Sequence, residues 1–478
     1  MVELNMEPGR PHVVGTDGND TIYGMNHELE MIEGGDGDDV LYGWGSVWLY
    51  DYGDPATNPA ARDRADIIFG GAGNDTIRVT SGQPPVDFPG GDQAYGGSGN
   101  DAIYGSSLAD MLYGGMGNDY ITGSGGRDTI DGGFGNDFLS VTHLGFGGWG
   151  NDTIDAWRAE VHGGGGNDEI NFGFAVYAYL DEMIRAQFGR AYGGSGNDTL
   201  RGSNGGERLH GGDGDDVLWA DYNYRNDQTV RPPDVLSGDG GNDLIYGGYG
   251  RETLDGGAGD DWISGDEIAF DGHPLGEGII ADDVIFGGAG HDTIKDDGGR
   301  NRIDGGTGND NIRVSAIEGN STIDGGYGND GLTNVYGGVA RGGYGNDTIV
   351  ANHGTNYMAG NDGDDQLFGG SGNDTINGHR GSDVLSFGGG QNIGSGGAGA
   401  DIFEFTEIDV EAWTMIEDFR VTDGDLIRVG WSQDIASLVA GAYADGNDVV
   451  IRIEQGAGVN IVLSDFDLGD LTPDCFTR

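Results

Sequence analysis

Residues 96–104 read Gly96-Gly97-Ser98-Gly99-Asn100-Asp101-Ala102-Ile103-Tyr104, and the phrase returns from Gly114 to Thr122 and from Gly132 to Ser140. Further copies begin at Gly193 and Gly369. Before residue 380 the chain holds eighteen cores of the form Gly-Asn-Asp or Gly-Asp-Asp, one of them Gly-His-Asp at His291. Repetition at a fixed period outranks other signals, because each unit buries its apolar face only against its neighbours. Glycine reaches positive φ at little cost, so Gly-Gly-x-Gly reads as a tight turn. The Asp closes the turn with a carboxylate, and the next three residues alternate as a short strand with the middle, apolar one inward. Nine residues make half a coil and eighteen a full one, which stacks equivalent strands at about 4.8 Å.

The pattern Gly-Gly-x-Gly-x-Asp-x-U-x, with U a large apolar residue, resembles the RTX nonapeptide, a calcium-binding β-helix repeat. The resemblance covers roughly residues 15 to 405 and implies an all-β fold: a right-handed parallel β-roll (a β-solenoid) of about 18–19 turns. On this reading residues 1–14 lead in, 15–400 form the roll, and 401–478 form a small C-terminal β cap with an export signal.

Following the acids gives a register. One ladder of expected metal ligands runs through Asp20, Asp39, Asp75, Asp101, Asp119, Asp137, Asp152, Asp168, Asp198, Asp216, Asp243 and Asp261. It continues through Asp292, Asp310, Asp330, Asp347, Asp365, Asp383 and Asp401. A second, sparser ladder falls between these rungs: Glu30, Asp66, Asp92, Asp110, Asp128, Glu207, Asp234, Glu252, Asp283 and Asp374. Its aspartates are expected ligands too, whereas Glu207 and Glu252 read equally well as surface acids. Two residues past nearly every rung stands an apolar side chain, among them Ile32, Ile68, Ile103, Leu112, Ile121, Ile130, Leu139, Leu200 and Leu209. Two such stripes facing each other make a thin core.

The spacing is asymmetric. From the second ladder to the first the distance is nine residues, as from Asp66 to Asp75, Asp110 to Asp119 and Asp283 to Asp292. In the other direction it varies, so the insertions, about residues 44–64, 79–90, 172–188, 220–233 and 264–281, all fall on one edge. The constant edge carries the Gly-Gly-x-Gly-Asn-Asp loops, where an extra residue would destroy the ligand geometry. The decorated edge is rich in aromatic residues and arginine: Trp44, Trp48, Tyr50, Tyr52, Tyr222, Tyr224 and Arg225. Residues 177–188 show helical spacing, with Leu180, Ile184 and Phe188 on one side.

Composition agrees. Glycine supplies 101 of 478 residues, and 81 Asp and Glu against 23 Lys and Arg give a formal net charge of −58. Only 11 prolines are present, which excludes collagen. A surface this acidic repels phosphates, which excludes a nucleic-acid binder, and its natural partner is a cation. Two apolar side chains per coil are too few to order eighteen residues and stacked acids, so the roll needs a metal. Calcium takes six to eight oxygens in flexible geometry, magnesium demands an octahedron, and zinc prefers nitrogen and sulfur. Balancing the net charge of −58 against divalent ions sets the scale at roughly 15–30 calcium ions.

Cys475 is the single cysteine, so no intrachain disulfide staples the chain, and no apolar run is long enough to span a membrane. The N-terminus lacks the basic and apolar regions of a cleavable signal peptide. Gly399-Ala-Asp-Ile-Phe-Glu-Phe, Ile416-Glu-Asp-Phe and the tail from Asp465 to Phe476 are similar to RTX caps and type I secretion tails. That resemblance implies export by the type I secretion machinery to the extracellular space or a bacterial cell surface. No enzyme is expected. His27-Glu-Leu-Glu-Met lacks the second His of a zinc-protease helix, no nucleophile elbow occurs, and His162, His210, His291 and His379 read as turn residues. The reading is a secreted structural protein that folds on calcium and self-assembles in a surface layer, matrix or filament. An adhesin holding cell-surface polysaccharide through the aromatic loops is the alternative, and a polysaccharide lyase or epimerase is a third.

Overall fold

The computed structural model describes residues 3–5, 12–24, 31–45, 66–81, 91–173, 189–203, 205–220, 232–248, 250–265, 281–314, 320–405, 412–430, 434–453 and 459–478. They divide into two compact units, Met1–Asn223 and Tyr224–Arg478. Each unit is built from two parallel β-sheets whose strands alternate along the chain, so successive half-coils land in opposite sheets. This is the parallel β-roll that the repeat implies.

In the first unit one sheet pairs Ile103 with Ile121 and Ile121 with Leu139. The other pairs Ala94 with Leu112 and Leu112 with Ile130. All six side chains are fully buried. The second unit repeats the arrangement, with Ile312 between Ile294 and Leu332 in one sheet and Ile303 between Ile285 and Ile323 in the other. Alternation at period two therefore places every U residue inside, as the sequence pattern requires.

Three local expectations change. The strands entering the Gly-Asn-Asp edge run six residues rather than three, as in Met111–Met116 and Thr129–Phe134. They carry the first two glycines of the repeat inside the ladder, because Gly115 still pairs with Gly97 and Gly133. The turn proper is thus the Gly-Asn-Asp triplet alone. His162, His210 and His379 consequently lie in strands, and only His291 sits in a turn. His162 and His210 flank Tyr192 in a stack that begins at Phe146, with ring centroids 4.7–5.1 Å apart.

The glycines also divide their labour. Gly115 and Gly117 have φ of 116° and 122°, where other residues are strained. Gly114 is needed for space instead. A Cβ there would fall less than 3.0 Å from both the Asp119 carboxylate and the carbonyl oxygen of Gly132 in the next coil. Gly114→Ala should therefore cost about 1–3 kcal/mol in calcium-loaded thermal melts. Gly125→Ala, where the nearest atom lies 3.9 Å away, should leave the melting temperature unchanged.

The segments between described residues, 46–65, 82–90, 174–188, 221–231 and 266–280, all follow strands of the sheet leaving the Gly-Asn-Asp edge. Within each unit, the described strands that precede these segments therefore belong to the same sheet. Trp48, Tyr50, Tyr52, Tyr222, Tyr224, Arg225 and residues 177–188, whose spacing reads as helical, lie outside the described residues.

In the second unit, parallel pairing continues past residue 401, with Ile402 beside Val384 and Leu426, and Met415 beside Ile393. The crossing between Ala412–Ile416 and Leu426–Val429 takes nine residues, 417–425, where the repeating crossings take three. Beyond it the strand Val459–Leu463 pairs parallel with Ala412–Ile416 and antiparallel with Asp448–Ile453. Tyr443–Asp445 forms the last edge. The helix Ile435–Gly441 starts on an Asp434 side chain that accepts from the Ala436 N–H at 3.2 Å. No described helix is long and apolar enough to cross a membrane.

Candidate metal centre

The Gly-Asn-Asp edge is a column of buried carboxylates. Asp101, Asp119, Asp137 and Asp152 are 1–3% exposed. Each uses one oxygen alike: the Asp101 N–H donates to Asp119 Oδ1 at 2.7 Å, Asp119 to Asp137 at 2.7 Å, and Asp137 to Asp152 at 2.8 Å. In the second unit Asp292 donates to Asp310 at 2.9 Å and Asp310 to Asp330 at 2.8 Å. The other oxygen, Oδ2, turns toward the first glycine of its own repeat and the main-chain carbonyl of the next coil. It has no hydrogen-bond partner in Asp39, Asp75, Asp101, Asp119, Asp137, Asp152, Asp168 and Asp198 of the first unit. The same holds for Asp261, Asp292, Asp310, Asp330, Asp347, Asp365, Asp383 and Asp401 of the second.

A buried carboxylate oxygen with no donor is costly, and neighbours of like charge add to the cost. Burial accordingly lifts Asp101, Asp137 and Asp168 to about 7, against the hydrogen bond from the preceding Asp and with added repulsion from adjacent rungs. Burial likewise lifts Asp75, Asp292 and Asp330 to about 6. Among the described residues no three His, Cys, Asp or Glu side chains converge on one point. An ion here would therefore combine carboxylates with main-chain carbonyls. That all-oxygen donor set suits calcium and not zinc.

A second ladder on this edge escapes sequence reasoning. The residue before each Asp accepts from its counterpart one coil on: Asn100 N–H to Asn74 Oδ1 at 2.6 Å, Asn118 to Asn100 and Asn136 to Asn118, both at 2.8 Å. Its direction is opposite to that of the Asp ladder, so each turn is clamped from both sides. His291 keeps the rule. Its N–H donates to Asp260 Oδ1 and its Nδ1 accepts from Asn309, both at 2.7 Å. The signal was present in the restriction of this position to side chains with a near acceptor.

The other edge is mixed. Asp66, Asp92, Asp110 and Asp128 form the expected run, Asp66 donating to Asp92 at 2.7 Å and Asp92 to Asp110 at 2.8 Å. In the first unit protein donors meet Asp110 and Asp128, whereas in the second unit the Oδ2 atoms of Asp283 and Asp374 are buried without a hydrogen-bond partner. The Ser106 N–H reaches Asp110 Oδ2 at 2.6 Å and its hydroxyl reaches Oδ1 at 3.2 Å, while the Thr142 hydroxyl lies 3.3 Å from Asp128 Oδ2. Strand pairing then puts His143, Ala159 and Gly189 at the next three equivalent positions, none of them acidic. Glu207 and Glu252 are buried, at 4% and 1% exposure, which removes the surface-acid reading. Glu207 is held by the Ser203 hydroxyl at 2.7 Å. In the second unit Asp234, Glu252 and Asp283 are followed by buried Asn301 and Ser321, then Gly338, then buried Asn356, Asp374, Asn392 and Thr414. The neutral members were missed because only acids were traced. Glu30 lies outside the described residues.

The outermost rungs of the Gly-Asn-Asp edge differ from the interior ones. Asp20 Oδ2 accepts from the Thr16 N–H at 2.6 Å and the Thr16 hydroxyl at 2.7 Å. Asp425, a rung beyond the expected ladder, accepts from Asp401 at 3.1 Å and turns its Oδ2 to the Arg420 N–H at 2.7 Å.

No curated protein matches this chain at a significant level. The RTX calcium-binding nonapeptide repeat (4 copies) does match, at residues 12–27, 30–46, 61–83, 88–119, 104–139, 146–158, 190–221, 233–267, 277–312, 336–367 and 359–394. Repeats of this family bind many calcium ions per domain and are typical of secreted proteins. With more than half of its length matched, and its acids stacked in the register the repeat demands, the chain belongs to the RTX calcium-binding nonapeptide repeat family.

Proposed function

We propose that the chain is a secreted, non-enzymatic structural protein whose rolls fold on extracellular calcium and assemble as a surface-layer, matrix or filament component. Its calcium ligands are the aspartates of the Gly-Asn-Asp edge with neighbouring main-chain carbonyls. The observation that carries the calcium step is the column of buried Oδ2 atoms without donors. Export unfolded through type I machinery fits a site too weak to fill in the cytosol.

Assembly is supported by exposed apolar side chains in register across coils. Met116, Phe134 and Trp149 pair strand to strand and are 62%, 57% and 65% exposed. Tyr327 and Tyr344 stack 4.7 Å apart, also on the outside. Rows of this kind mark contact surfaces. Negative-stain images at millimolar calcium should show filaments or sheets that EDTA disperses, and strict monomers would overturn the assembly reading. The same exposed rings favour polysaccharide binding as a second reading. A polysaccharide pull-down that depends on calcium and is lost in Trp149→Ala would decide for the adhesin.

A further inference from the structure

We propose that in the first unit calcium occupies the Gly-Asn-Asp edge alone, and that protein donors replace metal along the opposite edge. This rests on the calcium reading above and specifies which half of each coil carries it.

The two edges of the same coils can be compared directly. From Asp39 to Asp198 eight rungs of the Gly-Asn-Asp edge keep an Oδ2 that is buried and has no hydrogen-bond donor. On the opposite edge of this unit no acid has an oxygen of that kind among the described residues. Asp110 is answered by Ser106, and Asp128 by Thr142. Arg127, next to Asp128, sets its guanidinium 3.3 Å from the His143 ring. At the coils of His143, Ala159 and Gly189 that edge has no acid at the position, while Asp137, Asp152, Asp168 and Asp198 of the Gly-Asn-Asp edge keep a buried Oδ2 without a donor. A divalent ion needs several anionic or carbonyl oxygens in one place, and among the described residues of the first unit carboxylate oxygens left free for one recur on the Gly-Asn-Asp edge only.

The outermost rungs show what the protein does when it dispenses with an ion. Asp20, the first rung of this unit, has its Oδ2 filled by two donors from Thr16, and Ser106 treats Asp110 in the same way. Serine or threonine four residues before the acid is thus a local substitute for metal. The Gly-Gly-x-Gly loops have glycine at that position, as at Gly97 before Asp101, and offer no hydroxyl there.

The test is calcium content of the full chain, by elemental analysis after equilibrium dialysis at millimolar calcium, with far-UV circular dichroism as a check of folding. Asp92→Asn, Asp110→Asn and Asp128→Asn combined should leave the content and the calcium midpoint of folding unchanged. Asp101→Asn, Asp119→Asn and Asp137→Asn combined should remove at least two ions and raise the midpoint. Equal losses from both triple variants would overturn the one-edge assignment while leaving the calcium reading intact. A parent chain without bound calcium would overturn that reading itself. Should a triple variant fail to fold, the single variants Asp110→Asn and Asp119→Asn give the same contrast.

Discussion

EDTA at neutral pH is expected to abolish the far-UV β signal of this chain, and calcium at about 10⁻⁴–10⁻³ M to restore it. The cause lies in the balance within each coil. Eighteen residues are ordered around two U side chains, such as Leu112 and Ile121, and that burial is small beside the backbone entropy lost. Along one edge the coil also buries a carboxylate oxygen that nothing in the protein answers. Once the metal leaves, sixteen such oxygens in the two units face like-charged neighbours about 4.8 Å away. Unfolding returns them to water. The measurement is a calcium titration followed by circular dichroism, and a chain that keeps its β signal in EDTA would sink the mechanism.

Acid should partly replace calcium. In the metal-free fold burial raises Asp101, Asp137, Asp261 and Asp347 to about 7, and Asp75, Asp152, Asp310 and Asp401 to about 6, from an ordinary value of 3.8. Between pH 4 and 7 the folded chain therefore holds more protons than the unfolded one. Stability must then fall as pH rises through that window and recover as pH drops. At pH 5, above the pI of 4.1, the EDTA-treated chain is expected to regain β signal that it lacks at pH 7.5. Because protons and calcium stabilise the same fold through the same oxygens, the calcium midpoint of folding should increase from pH 6 to pH 8. A pH-independent midpoint, with equal unfolding in EDTA at pH 5 and 7.5, would contradict the buried column.

The roll was legible because two periodicities coincide in it. The nonapeptide fixes where glycine permits the turn, and the alternation two residues past each acid fixes which side chain goes inward, as at Asp119 and Ile121. The extra strand length was not legible, since nothing in Gly114-Gly115 distinguishes a turn glycine from one that lets a neighbouring carboxylate approach. Tracing acids found the Gly-Asn-Asp edge well and the opposite edge poorly. There the equivalent position tolerates Asn301, Ser321 and Asn356, whose side chains donate as well as accept. Asp425 was hidden by the nine-residue crossing that breaks the spacing.

The filled outermost rungs bear on how long such a stack can become. Interior coils present a half-built site to the coil beside them, so each is a template for the next. Thr16 at the first rung of one unit and Arg420 at the last rung of the other each fill the oxygen that would carry that invitation. The final strands are also brief: Tyr443–Asp445 and Phe476–Thr477 offer three and two residues, too few for another chain to join by strand addition. Growth by fusing rolls end to end is thereby discouraged. Assembly of the kind proposed would then use the exposed rows beside the coils, such as Met116, Phe134 and Trp149, rather than the outermost rungs.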